Sequence, residues 1–169
     1  MAKPVVPKAI FWAGLIAGTL DLTAAFIDVG VNFDKGPIWL LQNVAGSLLG
    51  PRAYEGGLAT AALGLVLHFT VAFAWTAVFY LLSRRFPVLL RRSVPSGLVY
   101  GAVVFLVMYR VTIPLTIALK SLYLTVPFNH HWPALRWSQL FVHFICIGLP
   151  IALVVRRFTP LPVEEKAAS

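Results

Sequence analysis

Long apolar runs separated by short polar or basic stretches dominate this chain. Four of them extend from about Ala9 to Val31, Leu58 to Leu82, Ser96 to Ala118 and Trp137 to Val155. At ~1.5 Å of rise per residue, each can cross ~30 Å of hydrocarbon as an α-helix. A fifth run, PIWLLQNVAGSLL at 37–49, is too short to cross. It opens on Pro37 after a glycine and carries Gln42 and Asn43, which predicts an interfacial or re-entrant helix. The expectation is an all-α membrane protein with four transmembrane helices and one short accessory helix. The transmembrane domain covers residues 1–158, and a polar, disordered tail covers 159–169.

Composition agrees with this pattern. The 169 residues are 59% hydrophobic and only 12% charged, against about 25% charged in a soluble domain. The net charge of +8 invites a nucleic-acid reading, but the basic residues cluster beside apolar runs, where they report membrane topology. The bilayer is thus the expected partner, and nucleic acid is not. Lys3 and Lys8 before AIFWAGLIAGTL resemble a signal peptide, with TAA at 23–25 as a cleavage site. Asp21 near that site, and apolar residues continuing to Val31, fit an uncleaved anchor better. A single cysteine, Cys146, excludes an internal disulfide.

Charge sets the orientation. With both termini cytoplasmic, the inner side carries Lys3, Lys8, Arg84, Arg85, Arg91, Arg92, Arg156, Arg157 and Lys166. The outer side carries Lys35, Arg52, Lys120 and Arg136. This is a positive-inside distribution. The segment TVPFNHHWPALRW, rich in proline and tryptophan, reads as an interface anchor on the outer side.

The first and third spans open alike, with GLIAG at 14–18 and GLVYG at 97–101. The second and fourth share HF, at 68–69 and 143–144, followed by RRFP and RRFTP. Two repeated helical hairpins would give this echo. The alternative is that small residues and terminal arginines recur in membrane helices generally. Gly14/Gly18 and Gly97/Gly101 are spaced for close helix approach within the bundle. Pro114 and Pro150 predict kinks in the third and fourth spans.

Each span also holds an ionisable residue deep within it: Asp21, His68, Arg110 and His143. Counted from the cytoplasmic ends, all lie about 18–21 Å into a ~30 Å core. Asp28 is two turns beyond Asp21 on roughly the same face. A charge at the bilayer centre costs ~2.5–3.5 kcal/mol on insertion scales, so these groups should face one another. Arg110, which keeps its proton, is expected to pair with Asp21 or Asp28. Tyr109, Thr112 and Trp75 are placed to line the same cavity. A static network fixing helix register and a functional site both account for the cluster.

His68, Phe86–Pro87, Gly97–Leu98, Gly101, Pro114–Leu115, Ser138, Phe141, His143 and Arg156–Arg157 together resemble the YagU-like family of bacterial inner-membrane proteins. The resemblance covers about residues 60–157 and implies the bacterial cytoplasmic membrane without implying a molecular activity. Asp21 and Arg110 depart from the family's pattern, as does Gln139, which stands where an acidic residue is usual.

Three functions compete. The first is permeation of protons, ions or a small polar solute by an oligomer, because histidine exchanges protons near neutral pH. The second is a non-catalytic accessory or assembly subunit of a membrane complex. The third, ranked below these, is a redox protein holding haem b between His68 and His143, with Gly64 and Gly148 as the small residues beside the ligands. No nucleophile motif or closed metal-ligand set is present, so no catalytic residue, metal or cofactor is expected.

Overall fold

The computed structural model describes residues 5–123 and 136–159. The helices are α1 (Val5–Phe33), α2 (Pro37–Leu49), α3 (Gly57–Arg85), α4 (Val88–Arg91), α5 (Ser93–Val107), α6 (Ile113–Tyr123), α7 (Trp137–Val142) and α8 (Leu149–Phe158). A 3₁₀ turn, Gly50–Tyr54, joins α2 to the loop before α3. Two π segments, Met108–Thr112 and His143–Gly148, fuse α5 to α6 and α7 to α8. Four stretches are long and apolar enough to cross a membrane: Pro7–Phe33, Gly57–Arg85, Ser93–Leu122 and Trp137–Phe158. The chain is an all-α, multi-pass integral membrane protein. Residues 125–135 of the segment that reads as an interface anchor, and the tail from 160, lie outside the described residues.

The spans overrun their apolar cores. The third begins three residues before Ser96 and ends at Leu122, because a helix continues to satisfy its own backbone where side chains have turned polar. Arg84 and Arg85 occupy the last turn of α3, and Arg156 and Arg157 that of α8, where they face the negative end of the helix dipole.

Packing is inside-out relative to a soluble protein. Leu58, Val66, Leu81, Val99, Leu122 and Phe141 are exposed, as suits lipid-facing positions. The buried stripe of α1 is small: Ala9, Ala13 and Ala17, four residues apart and therefore on one face. It meets Ile151, Ala152 and Val155 of α8, with Phe79, Tyr80, Leu90, Tyr100 and Val104 completing one core. Tyr100 donates its hydroxyl to the Trp75 carbonyl at 2.6 Å and holds α5 to α3. This core fills the arginine-rich end of the bundle, where the start of α1, the end of α8 and the α3–α5 turn lie.

The paired glycines all serve close approach, in two different ways. Gly14 and Gly18 each receive a ring from α3, Phe73 and Phe69 respectively. Gly97 and Gly101 meet the backbone of the last span directly, at Gly148–Leu149 and His143–Phe144. Each pair therefore packs against the second helix of its own hairpin, as an echo of two hairpins would require, but the second hairpin is tighter. The hairpins differ again at the prolines. Pro114 and Pro150 are each the second residue of the helix that follows a π segment. Ile113 N–H reaches back five residues to the Met108 carbonyl, and Leu149 N–H does the same to Phe144. Proline lacks an N–H for the carbonyl four residues earlier and crowds it. The widened turn takes up that defect.

α2 is held across the first turns of α3. A side chain at Gly64 would strike the Leu41 carbonyl, and buried Gln42 donates to the Gly57 carbonyl at 3.1 Å. Thr60 donates to Ala53 at 2.6 Å, and Tyr54 donates to Asn43 Oδ1 at 2.9 Å.

These contacts predict contrasting glycine substitutions. Gly148→Ala places a methyl against the Gly97 carbonyl and should cost at least the ~1–3 kcal/mol typical of overpacking. Gly30→Ala, whose nearest neighbour would be the Lys35 carbonyl at 4.0 Å, should be neutral. Thermal unfolding followed with size-exclusion profiles in detergent compares the two.

Candidate functional site

The alanine stripe of α1 runs 9, 13, 17, and its next member is Asp21. The face that packs tightly against α8 at the arginine-rich end thus turns acidic where the bundle opens. A cavity of about 480 Å³ begins there. Its wall takes residues from all four spans and from α2: Asp21 from α1, His68 and Trp75 from α3, Thr112 and Thr116 beside the third span's π segment, His143 from the fourth span, and Asn43 and Ser47 from α2. Most of the remaining lining is aliphatic.

Both histidines are fixed by backbone carbonyls. His68 Nε2 lies 2.9 Å from the Gly18 carbonyl, a contact that the missing side chain at Gly18 permits. His143, the first residue of its π segment, places Nδ1 2.7 Å from the Gln139 carbonyl. A carbonyl oxygen only accepts, so each of these nitrogens carries the proton. In the neutral rings the other nitrogens, Nδ1 of His68 and Nε2 of His143, are left as acceptors. The Phe105 ring packs edge-on to His143 at 5.4 Å and fixes its plane. Asp21 has no hydrogen-bond partner among the described residues.

Asp28 has a different environment. Arg136 forks onto its two carboxylate oxygens, both at 2.9 Å, and Asn32 Nδ2 adds a bond of 3.0 Å. The guanidinium also sits 5.6 Å above the Phe33 ring. This pair clamps the end of α1 to the start of α7 and lies outside the cavity lining. The arginine on a carboxylate is therefore Arg136, whereas the sequence pointed to Arg110. Arg110 is exposed and does not line the cavity. It sits within the π segment, whose altered twist changes the facing of its residues, so counting residues along the span misplaces it. Tyr109 is half-buried, with its ring tilted against that of Phe105 at 4.6 Å, and also outside the lining.

The cluster read from sequence is thus divided. Asp21, His68 and His143 share a cavity, Asp28 belongs to a structural clamp, and Arg110 and Tyr109 do not line the cavity. Lys120 was missed as a site residue. It lies on α6 at the polar rim, and it also lines a second, smaller cavity of about 290 Å³ with Asn43, Tyr54 and Ser121. The signal available was its spacing from Thr112 and Thr116, four residues at each step.

A haem between the two histidines does not fit this geometry. Gly64 is closed by the Leu41 backbone and Gly148 by Gly97 and Gly101, and His68 Nε2 is engaged by Gly18. Among the described residues, no three His, Cys, Asp or Glu side chains gather as a metal site.

No protein-family model matches the chain, and no curated protein or solved structure is similar to it. The site's own chemistry is the basis for a functional reading.

The clamp predicts a coupled pair. Asp28→Asn or Arg136→Gln alone should each destabilise the protein by about 1–3 kcal/mol, between the values for exposed and buried pairs because the arginine is one-third exposed. The double variant should recover part of that loss. Additive losses in a thermal-denaturation cycle would contradict the pairing.

Proposed function

We propose that this membrane protein binds a small solute at Asp21, His68 and His143, and that the same three groups exchange protons with it as the first step of permeation. One observation supports this reading above others: three titratable side chains from three spans open onto a single cavity, while the polar groups around them are tied to backbone. A group buried only to fix helix register would be expected to have its partner within the bundle. Asp21 makes no hydrogen bond among the described residues, and the charges that act on it are those of the two cavity histidines.

The setting proposed is a bacterial cytoplasmic membrane with both termini inside and the cavity rim outside. Arginine placement supports the orientation, and the resemblance to YagU-like proteins supports the compartment. His68 and His143, the residues that carry this resemblance, are also the two that line the cavity. Four spans are few for a self-contained transporter, so the permeating unit is taken to be an oligomer.

One observation favours a second reading, that of a non-catalytic accessory subunit. The core around Ala13, Phe79, Tyr100 and Ile151 fills the arginine-rich half, and the cavity lining meets it at Ala17, Val104 and Ile151. Permeation requires that core to open.

Proteoliposomes loaded with a pH-sensitive dye separate the two. Under permeation, the protein should collapse an imposed pH gradient, and Asp21→Asn, His68→Gln and His143→Gln should each abolish that flux while leaving the protein monodisperse. Flux equal to that of empty liposomes would favour the accessory reading.

A further inference from the structure

The hydrogen-bond inventory of the cavity carries the argument one step further, from a solute to its class. The inference rests on the site proposed above. Because the Gly18 and Gln139 carbonyls fix the proton of each imidazole on the nitrogen facing backbone, the neutral rings keep Nδ1 of His68 and Nε2 of His143 as lone-pair acceptors. Asp21, when ionised, is acceptor-only. Of the threonines at the wall, Thr116 spends its hydroxyl proton on the Ile113 carbonyl at 2.7 Å. The deep end therefore offers one carboxylate and two imine nitrogens, and the donors beside them, the Thr112 hydroxyl and the Trp75 indole N–H, carry no charge. Lys120, the cation among the lining residues, is eight positions beyond Thr112, about 12 Å along the helix and at the rim.

An acceptor-rich site with one negative charge is complementary to a cation that donates several hydrogen bonds. The remaining wall is aliphatic and aromatic, with Val71, Trp75, Val104, Ile147 and Ile151 around the polar end. We propose that the cavity is a binding site for a primary alkylammonium ion, whose three N–H groups match Asp21, His68 and His143 and whose chain lies against the apolar wall. A quaternary ammonium has the charge without the donors. An alcohol has a donor without the charge, and a carboxylate has the wrong sign for Asp21.

The test is a ligand series on the full-length protein in detergent, with hexylammonium, hexyltrimethylammonium, hexanol and hexanoate titrated by calorimetry. Charge-assisted hydrogen bonds predict that hexylammonium binds at least about tenfold tighter than each of the others. Asp21→Asn should remove that advantage. Should this variant fail to fold, the comparison within the wild-type series still decides. Equal affinity for hexylammonium and hexanol would reduce the site to an apolar cavity and overturn the inference. Equal or tighter binding of hexyltrimethylammonium would overturn the donor match. Preference for hexanoate, or no binding of the series by a protein that still carries Asp21-dependent proton flux, would overturn the ligand class and leave the proposed site standing. Absence of both binding and flux would overturn the two together.

Discussion

In hydrocarbon there is no water to satisfy a polar group, so each one inside the bundle has to find its partner within the protein. That constraint organises most of what is observed here. His68 reaches the Gly18 carbonyl, His143 the Gln139 carbonyl, Gln42 the Gly57 carbonyl and Tyr100 the Trp75 carbonyl. Asp28 is held by Arg136 and Asn32. Glycine makes several of these contacts geometrically possible, because only a residue without a side chain lets a neighbouring helix come this close. Asp21 is the exception, and the cavity lies where the exception is.

The two halves of the bundle divide the work. At the arginine-rich end the alanine stripe of α1, the aromatic trio of Trp75, Phe79 and Tyr100, and the aliphatic face of α8 pack into one buried core. At the other end α2 crosses α3 and the Asp28–Arg136 clamp ties α1 to the last span. The cavity between them owes its shape to the second hairpin, where each span changes pitch just before a proline. The π segment that begins at His143 presents that ring to the cavity, and the one at Met108–Thr112 sets the start of α6, from which Thr116 and Lys120 reach the wall.

The fold was legible because membrane spans announce themselves by length and by charge avoidance, two signals that need no tertiary information. The short helix at 37–49 was legible for the same reason, since thirteen residues cannot cross. Asp21, His68 and His143 could be singled out because an ionisable residue inside a span is costly enough to mark itself. Their pairings were not legible. Depth along an ideal helix matches Arg110 to a carboxylate, but depth does not fix which way a side chain faces, and Arg110 is exposed outside the cavity lining. Arg136 was read as a surface charge of the outer loop, because its contact with Asp28 joins positions 108 residues apart. Lys120 looked like a flanking charge for a related reason. Its role comes from α2 folding across α3, which hydropathy does not encode.

The central claim is that the cavity is open to solutes from the α2 end and sealed at the arginine-rich end. Single cysteines at Thr112 and Thr116, in a variant whose Cys146 is replaced by alanine, test it with a small, membrane-impermeant cationic thiol reagent applied to one face of sealed vesicles at a time. Both positions should react from the α2 face and neither from the arginine-rich face, with a cysteine at buried Ser83 silent throughout. Labelling of 112 or 116 from the arginine-rich face, or none from the α2 face, would contradict the account.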